Sequence, residues 1–275
     1  MLKTAHWMQW VIVAMFGVYL AGRMIMAGTG DSDRDFHYKE FAALPVVDKG
    51  RLKPFDTVAR GRLTLIQGNS TVKELDDMGR TVRTWTPEQW LLDVLSLQLN
   101  KENRLALNQK IFRIDNKDVL SFMHIEPKQP WRYAYYEFLP QIDELRAEVK
   151  HIEEDVEPKS RTVLQAKLME LASHIHMFEQ LFLWDAPGII PAKDGHWFSI
   201  ADARKFGMPG QGMHPIAEDM LEILVHYSRG DVKEFNAKVK EYRLKFEKEQ
   251  PSATSTAALE AYFNHLEPFY HCAVL

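Results

Sequence analysis

The chain has 275 residues, 34 Lys+Arg against 38 Asp+Glu, a formal net charge of −4 and 46 % hydrophobic residues. That supports one large or two ordinary globular domains and leaves no basic footprint for a nucleic-acid partner. The single cysteine, Cys272, excludes an internal disulfide, a CxxC redox pair and a cysteine-rich zinc site.

From Trp7 to Gly28 only Gln9 and Arg23 are strongly polar, and roughly 22 residues at about 1.5 Å each cross a hydrocarbon layer of about 30 Å. Trp7 and Trp10 suit an interfacial belt, and Arg23 is near enough to the far end to snorkel. Residues 1–28 therefore read as a transmembrane anchor. The rival is a cleaved signal peptide, because Lys3 precedes an apolar core from Val11 to Ala21, but an Ala-x-Ala site is lacking. Lys3 argues for an inside N-terminus while Arg23, Arg34 and Lys39 follow on the other side, so charge leaves orientation open.

The polar residues 29–43 read as a juxtamembrane linker, and residues 44–138 as a mixed hairpin and helix subdomain. Val46-Val47 and Arg51 to Phe55 flank Asp48-Lys49-Gly50 as a hairpin. A helix follows toward Gly68, with Asp56 or Thr57 expected to cap it. Thr71–Leu75 and Arg80–Thr84 predict a second hairpin around Asp76-Asp77-Met78-Gly79. Thr86-Pro87-Glu88-Gln89 reads as an N-cap, a first-turn proline and a capping-box glutamine. Ile111–Ile114 predicts a short strand, Asp115 or Asn116 a cap, and Tyr133–Phe138 another strand.

Residues 139–275 read as a helical subdomain. Ile142, Leu145, Val149, Ile152 and Val156, then Leu164, Leu168, Leu171, Ile175, Phe178 and Phe182, recur at spacings of three and four. They form a helical hairpin or one long helix bent at Pro158. Pro187–Gly212 reads as a loop with one helical turn. Pro215 opens a helix that Gly230 ends, and Asp231 is expected to cap the next, through Phe246. No 34-residue repeat follows. Pro251–Thr256 reads as a break before a last helix that Pro268 kinks. The fold class expected is mainly α with minor β-hairpins: one N-terminal transmembrane helix, then a helical extracytoplasmic domain.

Chemistry-bearing words are few. His174 and His176 are two residues apart and face different ways on a helix, so no metal site is assigned. His265 and His271, with Cys272, lie near the end of the chain, where a histidine is either an interfacial polar residue or an axial haem ligand. The haem-attachment word Cys-x-x-Cys-His, a nucleophile elbow, a phosphate loop and a dinucleotide fingerprint are all missing, so an autonomous enzyme is not expected. Arg51, Lys53, Asp56 and Arg60 crowd one corner, either as cap and surface pairs or as an anion-binding or docking site.

The words Gly50-Arg-Leu-Lys-Pro-Phe-Asp-Thr-Val-Ala-Arg60 resemble a segment of the extracytoplasmic region of multi-span cytochrome c biogenesis proteins of the CcsA/ResC type, the System II maturation route. Gln89–Val94, Lys110–Asp115 and Glu260–Phe269 look like later landmarks of that region, in the same order over about residues 44 to 275. The resemblance implies an inner-membrane protein whose soluble domain is extracytoplasmic or periplasmic. It implies haem for the family system as a whole and, as partners, the membrane, a haem-handling membrane subunit or downstream membrane helices, and apocytochrome c. In such proteins a further membrane helix begins where this sequence stops. The tryptophan-rich haem-handling segment is not matched, so the chain is expected to act as a scaffold or docking domain that binds no cofactor itself. The alternative is a signal-anchored periplasmic domain that binds a small molecule or anion.

Overall fold

A mostly apolar run without proline makes Lys3–Gly28 one helix, α1, in the computed structural model, which describes residues 3–76, 78–99, 104–192, 195–205, 213–268 and 270–271. Its Trp7–Gly28 portion is long and apolar enough to cross a membrane, and Trp10, Val18 and Ile25 are exposed along it. Within residues 29–43 a short helix, α2 (Tyr38–Ala42), carries Phe41 into the core, where its ring stacks on Phe55 at 4.9 Å.

The hairpins form as their turn chemistry dictates. Strands β1 (Pro45–Asp48) and β2 (Arg51–Pro54) pair antiparallel, and Lys49 and Gly50 supply the two positive φ angles, 54° and 73°, that match the twist of a two-residue turn. Helix α3 (Phe55–Gln67) follows at once and ends at Gly68. The expected cap is corrected here. Pro54 occupies the N-cap position with no side-chain cap bond, because Asp56 spends its oxygens on Arg60 in the next turn and on Asn264 far along the chain, and Thr57 also bonds Asn264. Strands β3 (Val72–Leu75) and β4 (Thr81–Trp85) make the second hairpin, and α4 (Pro87–Leu95) starts with the full Thr86–Gln89 capping box.

After α5 (Leu105–Asn108), the two-residue strand β5 (Phe112–Arg113) leads to α6 (Lys117–Phe122), which Asn116 caps. The strand expected over Tyr133–Phe138 is only β6 (Arg132–Tyr133), paired with β5. From Tyr135 to Gln141 the chain instead coils as a 3-10 helix, whose three-residue repeat buries both Tyr135 and Phe138. A turn at Pro158–Ser160 then separates α7 (Ile142–Asp155) from α8 (Val163–Phe182), which decides for a helical hairpin.

The next stretch carries the small hairpin β7 (Ile190–Pro191) and β8 (Trp197–Phe198), then α9 (Ile200–Lys205); positions 193–194 and 206–212 of the expected loop lie outside the described residues. Gly188 bridges to Val47 and passes so close to Trp197 that an added Cβ would lie 2.7 Å from its carbonyl oxygen. Helices α10 (Pro215–Arg229) and α11 (Val232–Glu249) form an antiparallel pair around Gly230, but Asp231 makes no side-chain cap bond. The break expected over Pro251–Thr256 is also corrected. Only Gln250 leaves helical geometry, and Pro251 opens α12 (Pro251–Leu266) at a first-turn position that needs no N–H. Glu267, at φ 48°, ends α12 just ahead of Pro268.

The buried apolar residues form a continuous core in which Trp90, Leu63, Phe178 and Phe235 are inaccessible. It runs across position 139, since Phe112 and Tyr135 meet Phe178 of α8 by ring contacts, Tyr135 also meets Phe182, and Phe138 packs edge-on against Phe112. The described chain is thus mostly helical with small antiparallel strand pairs. Helix α12 lies along β2, α3 and the end of α1, and this places the site.

Candidate functional site at the joint of α3, α4 and α12

The helical repeat of α12 puts Glu260 and Asn264 on one face, four residues apart, with His265 beside them. That face meets the start of α3. Asn264 Nδ2 donates to Asp56 Oδ2 at 2.7 Å and to Thr57 Oγ1 at 2.8 Å. Glu260 Oε1 accepts from Thr57 Oγ1 at 2.6 Å and from Arg51 at 2.5 Å. Arg60 Nε donates to both oxygens of Asp56 at 2.8 and 3.0 Å, and Arg60 lies 3.7 Å from Glu267 Oε1 and 3.8 Å from Glu88 Oε1.

Glu88, in the first turn of α4, completes the cluster. Its Oε1 lies 3.1 Å from His265 Nε2, and His265 Nδ1 lies 2.7 Å from the carbonyl oxygen of Ala261. A carbonyl only accepts, so Nδ1 carries a hydrogen. Asp56 is inaccessible to solvent, and Glu88 is 4 % exposed. Burial and the neighbouring Glu88 push the Asp56 carboxyl up to about 6, against the pull of Arg60. Burial also works upward on Glu88, but contacts from His265, Asp56 and Thr86 outweigh it and hold it near 2. For His265, burial disfavours the charged ring, yet Glu88 and the Ala261 carbonyl prevail and raise its pKa. A cleft of about 690 Å³ opens on the cluster, lined among others by Asp31, Arg60, Thr86, Glu88, His265 and Glu267.

The four residues singled out as a corner do not converge on one point. Arg51 faces Glu260, Arg60 faces Asp56, and Lys53 turns to the other side of the hairpin, where its Nζ is 3.0 Å from Asp48 Oδ2. Asp48 also receives Arg62 at 2.8 Å, a buried pair that the sequence reading did not anticipate, and burial's upward effect on Asp48 is outweighed by these two cations, which lower its pKa. Each of the three cations of the corner already faces a carboxylate.

His265, one of the two histidines considered for haem, turns its ring nitrogens to a backbone carbonyl and a carboxylate, and the cleft beside it is lined by acids and bases together, Asp31, Asp35, Glu88 and Glu267 with Arg34, Lys39 and Arg60. His271 is separate. Its Nδ1 is 2.7 Å from the hydroxyl of Tyr19 on α1, its Nε2 has no hydrogen-bond partner among the described residues, and Cys272 lies outside them. A second tie to α1 runs from the Tyr262 hydroxyl to the Met24 carbonyl oxygen at 3.3 Å.

Sequence reasoning missed Glu88, Glu260 and Asn264 as site residues. The four-residue spacing of Glu260 and Asn264, matched by that of Asp56 and Arg60, is the signal that could have paired the two helices. Glu88 has none, since an acid in a capped first turn is ordinary. No protein-family model matches the chain, and no curated protein matches it either.

Proposed function

We propose that this chain is the membrane-anchored, extracytoplasmic part of a cytochrome c biogenesis factor of the CcsA/ResC type. One observation carries the reading. The words Gly50–Arg60 and Glu260–Phe269, which bear the resemblance at opposite ends of the soluble region, bond to each other through Arg51–Glu260, Thr57–Glu260 and Asn264–Asp56. Helix α12, which carries the second word, also runs beside the end of α1. A joint built from both words, next to an apolar helix, suits a domain that holds membrane helices in fixed relation to an outer docking face. On this reading the N-terminal helix is retained, the soluble domain is periplasmic, and the chain positions apocytochrome c and a haem-handling membrane partner without performing ligation. The alternative of an anion-binding domain draws no support from Arg51, Lys53 and Arg60, whose charges are already met.

The test is covalent haem attachment to c-type cytochromes in cells that lack this chain. Haem-stained cytochrome c is expected to fall and to return on complementation, and unchanged staining overturns the reading. Arg51→Glu is expected to reduce staining at normal protein level, and Arg51→Glu combined with Glu260→Arg to restore part of it.

A further inference from the structure

The contact between Glu88 and His265 poses an electrostatic problem. Since Nδ1 of His265 carries its hydrogen toward Ala261, the Nε2 of a neutral ring presents a lone pair, and the atom it meets at 3.1 Å is a carboxylate oxygen. Two acceptors at that distance need positive charge between them. A proton on Nε2 is one source, but Glu88 Oε1, inaccessible to solvent, receives no hydrogen bond in acceptable geometry from this ring or from any other described donor.

We propose that Asp56, Glu88 and His265 form a binding site for one divalent transition-metal cation of the zinc type. Their three ligand atoms lie within 4.8 Å of one another, against the roughly 3.3 Å that separates two ligands of a tetrahedral zinc ion, so the side chains would close on the ion as it binds. One imidazole nitrogen and two carboxylates are a donor set for a borderline cation, whereas magnesium and calcium favour oxygen alone. The outer contacts have the form that orients metal ligands: the Ala261 carbonyl fixes the tautomer with Nε2 inward, and Asn264 and Arg60 hold Asp56. Arg60 does not fill the place, because its terminal nitrogens are 3.8 Å from Glu88 and 3.7 Å from Glu267. Asp56, Glu88 and Glu267 against Arg60 leave two negative charges when His265 is neutral, the charge that a divalent cation cancels. The cleft beside Glu88 and His265, whose wall carries Asp31, Asp35 and Glu267 together with Arg34, Lys39 and Arg60, is the entry path. The site is independent of the cytochrome reading, since it rests only on these side chains.

The experiment uses the full chain in detergent, stripped with a chelator and titrated with Co²⁺, whose visible d–d bands report nitrogen and oxygen ligands. One equivalent is expected to bind, zinc is expected to displace it, and zinc is expected to raise the unfolding temperature. His265→Gln and Glu88→Gln, checked for native circular dichroism, are each expected to weaken cobalt binding at least about 100-fold, beyond the loss typical of outer contacts. A wild-type chain that shows neither cobalt bands nor a zinc-dependent shift in unfolding overturns the proposal and leaves a proton between the two groups. Binding that survives in both ligand variants overturns it too, by placing the metal elsewhere. If either variant fails to fold, the wild-type titration decides alone.

Discussion

Asn264 on α12 donates its amide hydrogens to Asp56 and Thr57 on α3, closing 208 residues of chain with bonds of 2.7 and 2.8 Å. The acceptor Asp56 is a solvent-inaccessible carboxyl, so the amide meets a lone pair that water cannot reach.

Asn264→Ala is therefore expected to cost about 1.5 to 3 kcal/mol in urea unfolding, the range for a hydrogen bond to a charged group. Asn264→Asp is expected to cost more at pH 7, because it sets a second carboxylate against Asp56. An Asp variant as stable as the Ala variant would show that the amide is not what holds this joint.

The pair of Asp48 and Arg62 calls for a different variant. Both are buried, and Asp48→Asn leaves the Arg62 guanidinium without a carboxylate, so a loss of about 3 to 5 kcal/mol is expected by denaturant titration. The Asp48 pKa is lowered in the fold, so its contribution is fully present above the ordinary carboxylate pKa and fades only as pH falls through the lowered value. The cost of Asp48→Asn is thus expected to be flat between pH 6 and 8, and a cost that shrinks on going from pH 8 to 6 would contradict this assignment.

Asp93 behaves in the opposite sense. Burial pushes it up to about 6 despite the hydrogen bond of 2.7 Å from Tyr227 and the charge of Arg83. The native state then keeps a proton that the unfolded chain releases near pH 4, so stability falls as pH rises from about 4 to 6, by up to about 3 kcal/mol. Asp93→Asn keeps an oxygen for Tyr227 and removes the charge. Its unfolding free energy is expected to exceed that of wild type at pH 7 and to lose this slope; equal slopes in the two proteins would refute the assignment.

Gly188→Ala tests the close passage at β8. The added methyl would lie 2.7 Å from the Trp197 carbonyl oxygen, which must move away from the Gly188–Val47 bridge. A loss of about 1 to 3 kcal/mol in thermal or urea unfolding is expected, in the range of overpacking changes, and a neutral substitution would show that the hairpin yields freely.

What the amino-acid sequence determined by itself is what neighbours in the chain decide. The turn at Lys49-Gly50, the capping box of Thr86 and Gln89, the stop at Gly230 and the stripes of α7, α8, α10 and α11 depend on residues within a few positions of each other, so turn chemistry and periodicity sufficed. Where two local outcomes compete, tertiary contacts chose. Asp56 has the chemistry of a cap, but Asn264 and Arg60 take its oxygens; Tyr133–Phe138 has strand composition, but burying Tyr135 and Phe138 together needs a three-residue turn. Residues 251–256 have the composition of a break, yet they pack as helix with Ala253 and Thr254 buried. The cluster of Asp56, Glu88 and His265 belongs wholly to this second class. Its members come from α3, α4 and α12, and an acid in a helical first turn carries no mark of the partner it will meet. Only the packing of α12 on α3, and of α3 on α4, removes water from between them, and that makes their charges depend on one another.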